Sequence, residues 1–336
     1  MSKLLERTML IAVESELQRQ VARLDKPLNK TFFEMLTYHM GWSGIGSGPF
    51  AAGKRIRPLL MLLTIAAIGE NWELALPAAA SIELIHNFSL VHDDIQDKSP
   101  LRRGRLAIWK KWGVAQAINV GDSLFIIAHL AMSDLHGKYS YESIFQATRV
   151  ILEACLDLTC GQFMDIEYEK QDDLAIENYW TMIAGKTAAL LSASTFIGSI
   201  LGSANEAAQI AYRDFGHYLG LAFQVQDDIL GIWGVSSLTG KSNESDLFTG
   251  KMSLPVLYGL ERSGQFAKRW KQSRINKDDI PELAELLRTD GAQLKAQETV
   301  DKMTELALKS LRQADPKGEA GEALYNISQR LIQRQS

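Results

Sequence analysis

Apolar residues recur at threes and fours along most of this chain. Near its start Leu4, Leu5, Met9, Val13, Leu17 and Val21 form one such series, the spacing that lines up side chains on a single stripe of an α-helix. The same period predicts helices over residues 58–68, 76–97, 115–135, 144–168, 174–201, 207–233 and most of 281–334. No stretch alternates apolar and polar residues long enough to predict a strand. The expectation is an all-α protein, built as a packed helix bundle. Turn-forming residues interrupt the pattern at 41–53 (GWSGIGSGPFAAG), at 98–105 (KSPLRRGR) and at the 18-residue polar segment 234–251. A structureless loop of that last length is uncommon in a compact domain and suggests a function. None of the three resembles an interdomain linker, so residues 1–336 are expected to form one domain.

Composition narrows the picture. The chain has 336 residues, of which 46% are hydrophobic and 23% charged, enough apolar material for a large core. A formal net charge of −4 leaves no broad basic surface for nucleic acid or an anionic membrane. Basic clusters must therefore be local and serve local anions. Cys155 and Cys160 lie in an apolar helical stretch with neither disulfide nor zinc spacing, and are expected to be buried, reduced thiols. The first residues lack a signal-peptide pattern. Residues 188–202, with Ser192, Ser194, Thr195 and Ser199, fall short of a membrane span. A cytoplasmic protein without stable membrane insertion is expected.

An internal echo carries the chemistry. FSLVHDDIQD at 88–97 and FQVQDDILG at 223–231 each end an apolar helix in an Asp-Asp pair, 134 residues apart. On a helix, Asp93 and Asp97 would stack their carboxylates roughly 5–6 Å apart, which destabilises the helix unless something compensates. Acid at a helix C-terminus also opposes the helix dipole. A solvated acidic helix end is one explanation; a hard divalent cation, held by a few carboxylates, waters and phosphate oxygens, is the other. Two unfavourable terms in one place point to the cation. Asp227 and Asp228 repeat the arrangement, so the two segments are expected to be halves of one site, facing each other across a bundle with a diphosphate held through shared magnesium. Asp172 and Asp173 precede a new helix (LAIENYW) and are expected to be N-caps instead.

Cations accompany the acids. Lys54 and Arg57 sit where the Gly-rich loop meets a helix, near backbone N–H groups freed at a helix start. Arg102, Arg103 and Arg105 follow the first acidic segment, and guanidinium binds phosphate oxygens in pairs. Lys186 and Thr187 interrupt an apolar helix, where a buried charge needs a partner. Lys241 and Lys251 punctuate the polar segment after the second Asp pair. This inventory suits two diphosphates side by side, one through magnesium and one held directly by Lys, Arg and His.

AGKRIRP, LIHNFSLVHDDIQDKSPLRRGR, GQFMDIEYE, GKTA, FQVQDDILG and the TGK…TGK segment, in this order, closely resemble the trans-isoprenyl (polyprenyl) diphosphate synthases over about residues 30–260. The resemblance implies an isoprenoid synthase-type fold, many antiparallel helices around a deep central cavity, usually in a homodimer. It implies that Asp93, Asp97 and Asp227 hold three Mg2+ against an allylic diphosphate, with Asp94 in the same catalytic motif. Arg102, Lys186, Thr187, Gln224, Lys241 and Lys251 would contact that diphosphate. Lys54, Arg57, His86 and Arg103 would bind isopentenyl diphosphate without metal; His86 lies two turns before Asp93. Three departures stand out: Gly231 where the second motif usually ends in Asp, Val235 where many relatives carry an acid, and Leu106-Ala107 where Pro-Thr is common after RRGR.

The implied reaction is ionisation of the allylic diphosphate, attack by the isopentenyl double bond, and loss of a proton. No protein nucleophile is needed. A terpene cyclase on the same fold and a non-catalytic partner subunit are the alternatives; Gly231 leans toward the cyclase, the isopentenyl pocket and the intact first motif lean away from both. Phe88, five residues before Asp93, is expected to floor the product tunnel. With no insertion in the first motif, that resembles synthases stopping at geranylgeranyl rather than farnesyl diphosphate.

Overall fold

The computed structural model describes residues 2–169, 171, 174–234, 246–272 and 275–332. Helices make up almost all of it, as the apolar period requires: α1 Ser2–Val21, α2 Lys30–His39, α3 Pro49–Ala52, α4 Ile56–Ile68, α5 Leu76–Gln96, α6 Ile108–Trp112, α7 Val114–Ser133, α8 Tyr141–Tyr168, α9 Ile176–Ile183, α10 Ala189–Leu201, α11 Glu206–Trp233, α12 Asp246–Thr249, α13 Leu254–Glu261, α14 Gln265–Trp270, α15 Ile280–Thr289, α16 Ala292–Ala314 and α17 Gly318–Ile332. Two of the sequence expectations change. The helix expected over 174–201 is interrupted at Ala184–Ala188 by a π-helical turn. The pattern at 281–334 is three helices, parted at Gly291 (φ +78°) and Asp315 (φ +53°). Within the basic loop, Leu101–Arg102 pairs antiparallel with Arg105–Leu106, a ribbon too short to leave a period in the sequence.

The chain groups into two compact units. The first comprises Met1–Leu152, Ala193–Tyr212 and Ala314–Leu324; the second comprises Glu153–Ser192, Arg213–Gln313 and Tyr325–Ser336. In the first, α5 and α7 pack along their lengths, with α4 and α1 against α5. Met9, Val13, Leu17 and Val21 of the α1 stripe are fully buried there, whereas Leu4 is exposed. Leu60, Leu62, Leu63, Ile82, Leu84, Val120 and Leu124 continue that core. Gly198 lets α10 approach α4: a Cβ there would lie 2.7 Å from the Met61 carbonyl oxygen. In the second, Tyr179, Phe215, Leu219, Val225, Leu254, Phe266, Leu283 and Leu287 are the buried apolar centre.

Three helical stretches are, by length and composition, apolar enough to cross a membrane: Trp72–Gln96, Val114–Ser133 and Ile176–Leu201. In the first and third, 67% of the most apolar window is buried inside the protein, so their apolarity is that of core helices. In Val114–Ser133 the share is only 39%, and Ile118, Ile126 and Leu130 are exposed along it. The thiols also differ from one another: Cys155 is buried and Cys160 exposed, and neither is in a disulfide.

Candidate active site

The first acidic segment closes α5. The Asp97 N–H donates to the Asp93 carbonyl at 2.8 Å, which keeps the two residues in helical register at the last turn. Asp94, one position on, turns inward and is buried. Arg102 holds it, with Nη2 2.6 Å and Nε 2.9 Å from Asp94 Oδ1. Burial pushes the Asp94 carboxyl above its ordinary range despite that guanidinium. Asp93 is half-buried and Asp97 exposed. The pair expected to hold metal thus lies on the more open side, while Asp94 anchors an arginine.

The short ribbon sets where the arginines go. Arg103 and Gly104 both take positive φ, +52° and +73°, as a two-residue primed hairpin turn requires. That turn sends Arg102 to Asp94 and Arg103 to the end of α3, where Nη1 donates to the carbonyls of Ala51 (2.9 Å) and Ala52 (2.6 Å). Gly53 suits the place by its positive φ of +88°, and a Cβ there would lie 2.6 Å from the guanidinium carbon, which would have to shift. Arg105 instead donates to the carbonyls of Tyr38, Ser43 and Ile45 and covers the Tyr38 ring. It folds the Gly-rich loop rather than serving an anion.

Arg55, between Lys54 and Arg57, had no role in the sequence and has a large one here. It is buried in the left-handed region (φ +48°), a conformation costing about 1–3 kcal/mol for a non-glycine residue. Its guanidinium donates to Glu83 (2.9 Å), Glu14 (3.1 Å) and the Met40 carbonyl (3.2 Å). These bonds hold the strained turn and put Arg57 on the first turn of α4, with Lys54 outside. Arg57 and His86 are half-buried. Burial first, then Arg57, Arg103, Arg102 and Arg55, hold His86 well below its usual value. Burial, together with Arg55 and Arg102, lowers Arg103 to about 10. His86 is therefore a neutral group under the influence of Arg57, Arg103, Arg102 and Arg55.

The second acidic segment belongs to the other unit and repeats the division of labour. Asp228 is buried and accepts from the Tyr179 hydroxyl (2.7 Å), Gln224 Nε2 (3.0 Å) and the Leu254 N–H (3.1 Å). Asp227 remains half-buried. Thr187 donates to Gln224 Oε1 at 2.7 Å, so Gln224 is a relay between the π turn and Asp228. The π turn fits because of two glycines. A Cβ on Gly161 of α8 would lie 2.2 Å from the Lys186 nitrogen, and one on Gly220 of α11 would lie 2.5 Å from the Ala188 Cα. Single π turns inside helices are frequent at functional sites, and this one presents Lys186 and Thr187 from adjacent positions.

Lys186 finds the partner its burial demands in Asp165, 2.5 Å away. Burial would raise the Asp165 carboxyl, but Lys186 and then Lys251 outweigh it and hold it low. Lys251 lies 3.6 Å from Asp228; burial would lower it, but Asp246, Asp228, Asp165 and Asp227 together hold it well above the ordinary range. The sequence singled out GQFMDIEYE without giving Asp165 a role, and it missed Tyr179 and Asp246. Only the charge of Lys186 signalled that such a partner must exist. Lys241, Val235, Asp172 and Asp173 lie outside the described residues. Among the described residues, no three His, Cys, Asp or Glu side chains are grouped to hold a metal by themselves.

Each unit thus carries an Asp-Asp pair on a helix, one carboxylate buried as an anchor and the other less buried, with Arg102 at the first and Lys251 at the second. The polyprenyl synthetase family model matches residues 47–288, and the chain belongs to that family. It is 37% identical over 284 residues to the (2E,6E)-farnesyl diphosphate synthase of Mycobacterium tuberculosis, covering 81% of this chain and 77% of that one. It is 34% identical over 326 residues to the geranylgeranyl diphosphate synthase of the same organism, covering 95% and 90%. The crystal structure of a polyprenyl synthetase from Streptomyces coelicolor superimposes with a TM-score of 0.86 at 32% identity, covering 97% and 98% of the two chains. The fold is accordingly the helical isoprenoid synthase fold.

Proposed function

We propose that this chain is a short-chain trans-prenyltransferase, joining an allylic diphosphate to isopentenyl diphosphate to give geranylgeranyl diphosphate, with farnesyl diphosphate as the shorter alternative. The observation that carries condensation, rather than ionisation alone, is the pair of guanidiniums Arg57 and Arg103, whose charges both act on neutral His86. Like charges so gathered favour a bound polyanion, and no metal ligand lies among them. A cyclase would have no use for that second anion pocket.

Magnesium dependence is part of the proposal. Mg2+ keeps several waters and takes one or two carboxylates plus substrate phosphates. Asp93 with Asp97, and Asp227, fit that demand as the less buried carboxylates of the two segments, Asp94 and Asp228 being buried. When bound, the metal supplies charge neutralisation for a departing diphosphate. Arg102, Lys186, Thr187, Gln224, Lys241 and Lys251 are proposed to bind and orient that same diphosphate. Lys54, Arg57, His86 and Arg103 hold isopentenyl diphosphate so that its double bond is positioned for attack. The proton lost at the end passes to the released diphosphate, and no side chain needs to take it.

A homodimer and a cytoplasmic location complete the proposal. The homodimer is supported by apolar side chains that one copy leaves open on α8, and the location by thiols that are not paired. Incubating the purified chain with isopentenyl diphosphate and dimethylallyl, geranyl or farnesyl diphosphate, then sizing the dephosphorylated products, tests the function. Growth to twenty carbons is expected. Cyclic hydrocarbons, or no product without a second protein, would overturn it.

A further inference from the structure

Large apolar side chains stand open around the short ribbon. Leu101 pairs there with Leu106, and Arg102 with Arg105. Paired residues share a face and successive residues alternate, so the leucines point one way and the arginines the other. Both leucines are exposed, while Arg102 and Arg105 are half-buried against Asp94 and Tyr38. The Gly-rich loop, clamped to the ribbon, adds Ile45 and Phe50. The Ile45 carbonyl accepts from Arg105 Nε at 3.1 Å. Phe50 lies against the turn, its ring 3.9 Å from where a Cβ on Gly104 would stand. Ile45 is 97% exposed and Phe50 70%. Apolar side chains left open together, rather than scattered singly, mark a surface for an apolar partner.

The charge around them selects the partner. The chain carries a net charge of −4, yet residues 98–121 hold six Lys or Arg and no Asp or Glu. Residues 35–69 hold Lys54, Arg55 and Arg57 and again no acid. Lys110 and Lys111 are exposed. Lys111 Nζ lies 4.1 Å from the ring centres of both Tyr38 and Trp112, and the Tyr38 hydroxyl donates to the Leu106 carbonyl at 3.0 Å. Trp109, whose ring Lys110 covers, donates to the Ser99 carbonyl at 2.8 Å. Open aliphatic tips with Trp, Tyr and lysine beside them have the composition of a side that lies in a bilayer interface. Lysine without acid favours anionic lipid.

We infer that the ribbon and the Gly-rich loop dock this protein reversibly on an anionic lipid bilayer. Leu101, Leu106, Ile45 and Phe50 enter the headgroup layer, and Lys110 and Lys111 meet its phosphates. The reason for docking rests on the proposed function: a prenyl diphosphate has a long apolar tail that leaves into lipid more readily than into water. The same ribbon carries Arg102 and Arg103, so the dock lies beside the diphosphate site.

The test floats the full chain, without substrate, with vesicles of phosphatidylcholine alone and of phosphatidylcholine with phosphatidylserine. Binding is expected to the phosphatidylserine vesicles, with release by salt. Lys110→Glu/Lys111→Glu is expected to weaken it roughly tenfold or more, since each lysine at the surface contributes about fivefold. Ile45→Ser/Phe50→Ser, which alters only open side chains, is expected to weaken it by a similar factor while melting and turnover of soluble substrates stay as in the wild type. Equal binding to both kinds of vesicle, no binding to either, or a folded Ile45→Ser/Phe50→Ser protein that binds as the wild type would each overturn the inference. A change in solution mass on Ile45→Ser/Phe50→Ser would also overturn it, making the patch a contact between copies. The functional reading is tested separately. A chain that makes prenyl diphosphates but does not float defeats this inference alone; one that floats as expected but makes none defeats the functional reading alone.

Discussion

Asp93 and Asp94 are adjacent, identical residues with different work. Asp94 faces inward onto Arg102, while Asp93 stays half-buried beside exposed Asp97. Asp93→Asn or Asp97→Asn should thus lower turnover by about a hundredfold or more, the scale of losing one electrostatic contact to the reacting charge, with melting unchanged. Steady-state rates and a thermal melt of the same samples decide it; equal losses of both would make these residues structural. His39 offers a pH prediction. Burial first, then Arg103, Arg102 and Arg55, lowers it from 6.5 to about 3. A depressed histidine leaves the unfolded chain binding more protons between those values, so its contribution is complete above pH 6.5 and is lost as pH falls toward 3. His86 is shifted in the same direction. Urea midpoints should fall between pH 7 and pH 4.5, and His39→Phe should flatten part of that slope.

At the scale of elements, close approaches decide the site. Gly161 and Gly220 let α8 and α11 press on the π turn, which aims Lys186 at Asp165 and Thr187 at Gln224. Gly161→Ala would drive a Cβ into backbone, so overpacking should cost about 1–3 kcal/mol, read as a lower urea midpoint with unchanged m-value. The α5–α7 pairing bears on product length. The Phe88 ring lies 5.1 Å from that of Phe125 and 4.9 Å from His92, and Phe125 lies 4.4 Å from His129. The expected floor is therefore backed by a second helix. Phe88→Ala should lengthen the product by about one five-carbon unit, and Phe88→Ala/Phe125→Ala by more; chromatography of dephosphorylated products reads the difference. Identical lengths in all three proteins would place the floor elsewhere.

For the whole molecule, the question is what covers the apolar side chains that one copy leaves open. Phe145, Leu152, Leu156 and Phe163 recur at sevens and fours along α8 and are 68, 47, 65 and 65% exposed. That stripe suits a helix facing a second copy. Light scattering should give twice the chain mass of 37.4 kDa, and Leu156→Glu should shift the protein toward monomer. A monomeric wild type would leave a membrane surface as the better occupant.

The helices, their main limits, the Asp pairs and the cationic motifs were all legible in the sequence, because a helix records its buried face at a local period and a motif is contiguous. The roles within each motif were not. Asp93 and Asp94 read alike until the fold turns one toward Arg102, and Arg55 read like its neighbours until Glu14, Glu83 and Met40 closed around it. Asp165 and Lys186, 21 residues apart, meet only because two glycines allow helices to touch. Gly231 read as a missing carboxylate, yet Asp246 occupies its space. Such pairings depend on distances across packed elements, which no local period or contiguous motif records.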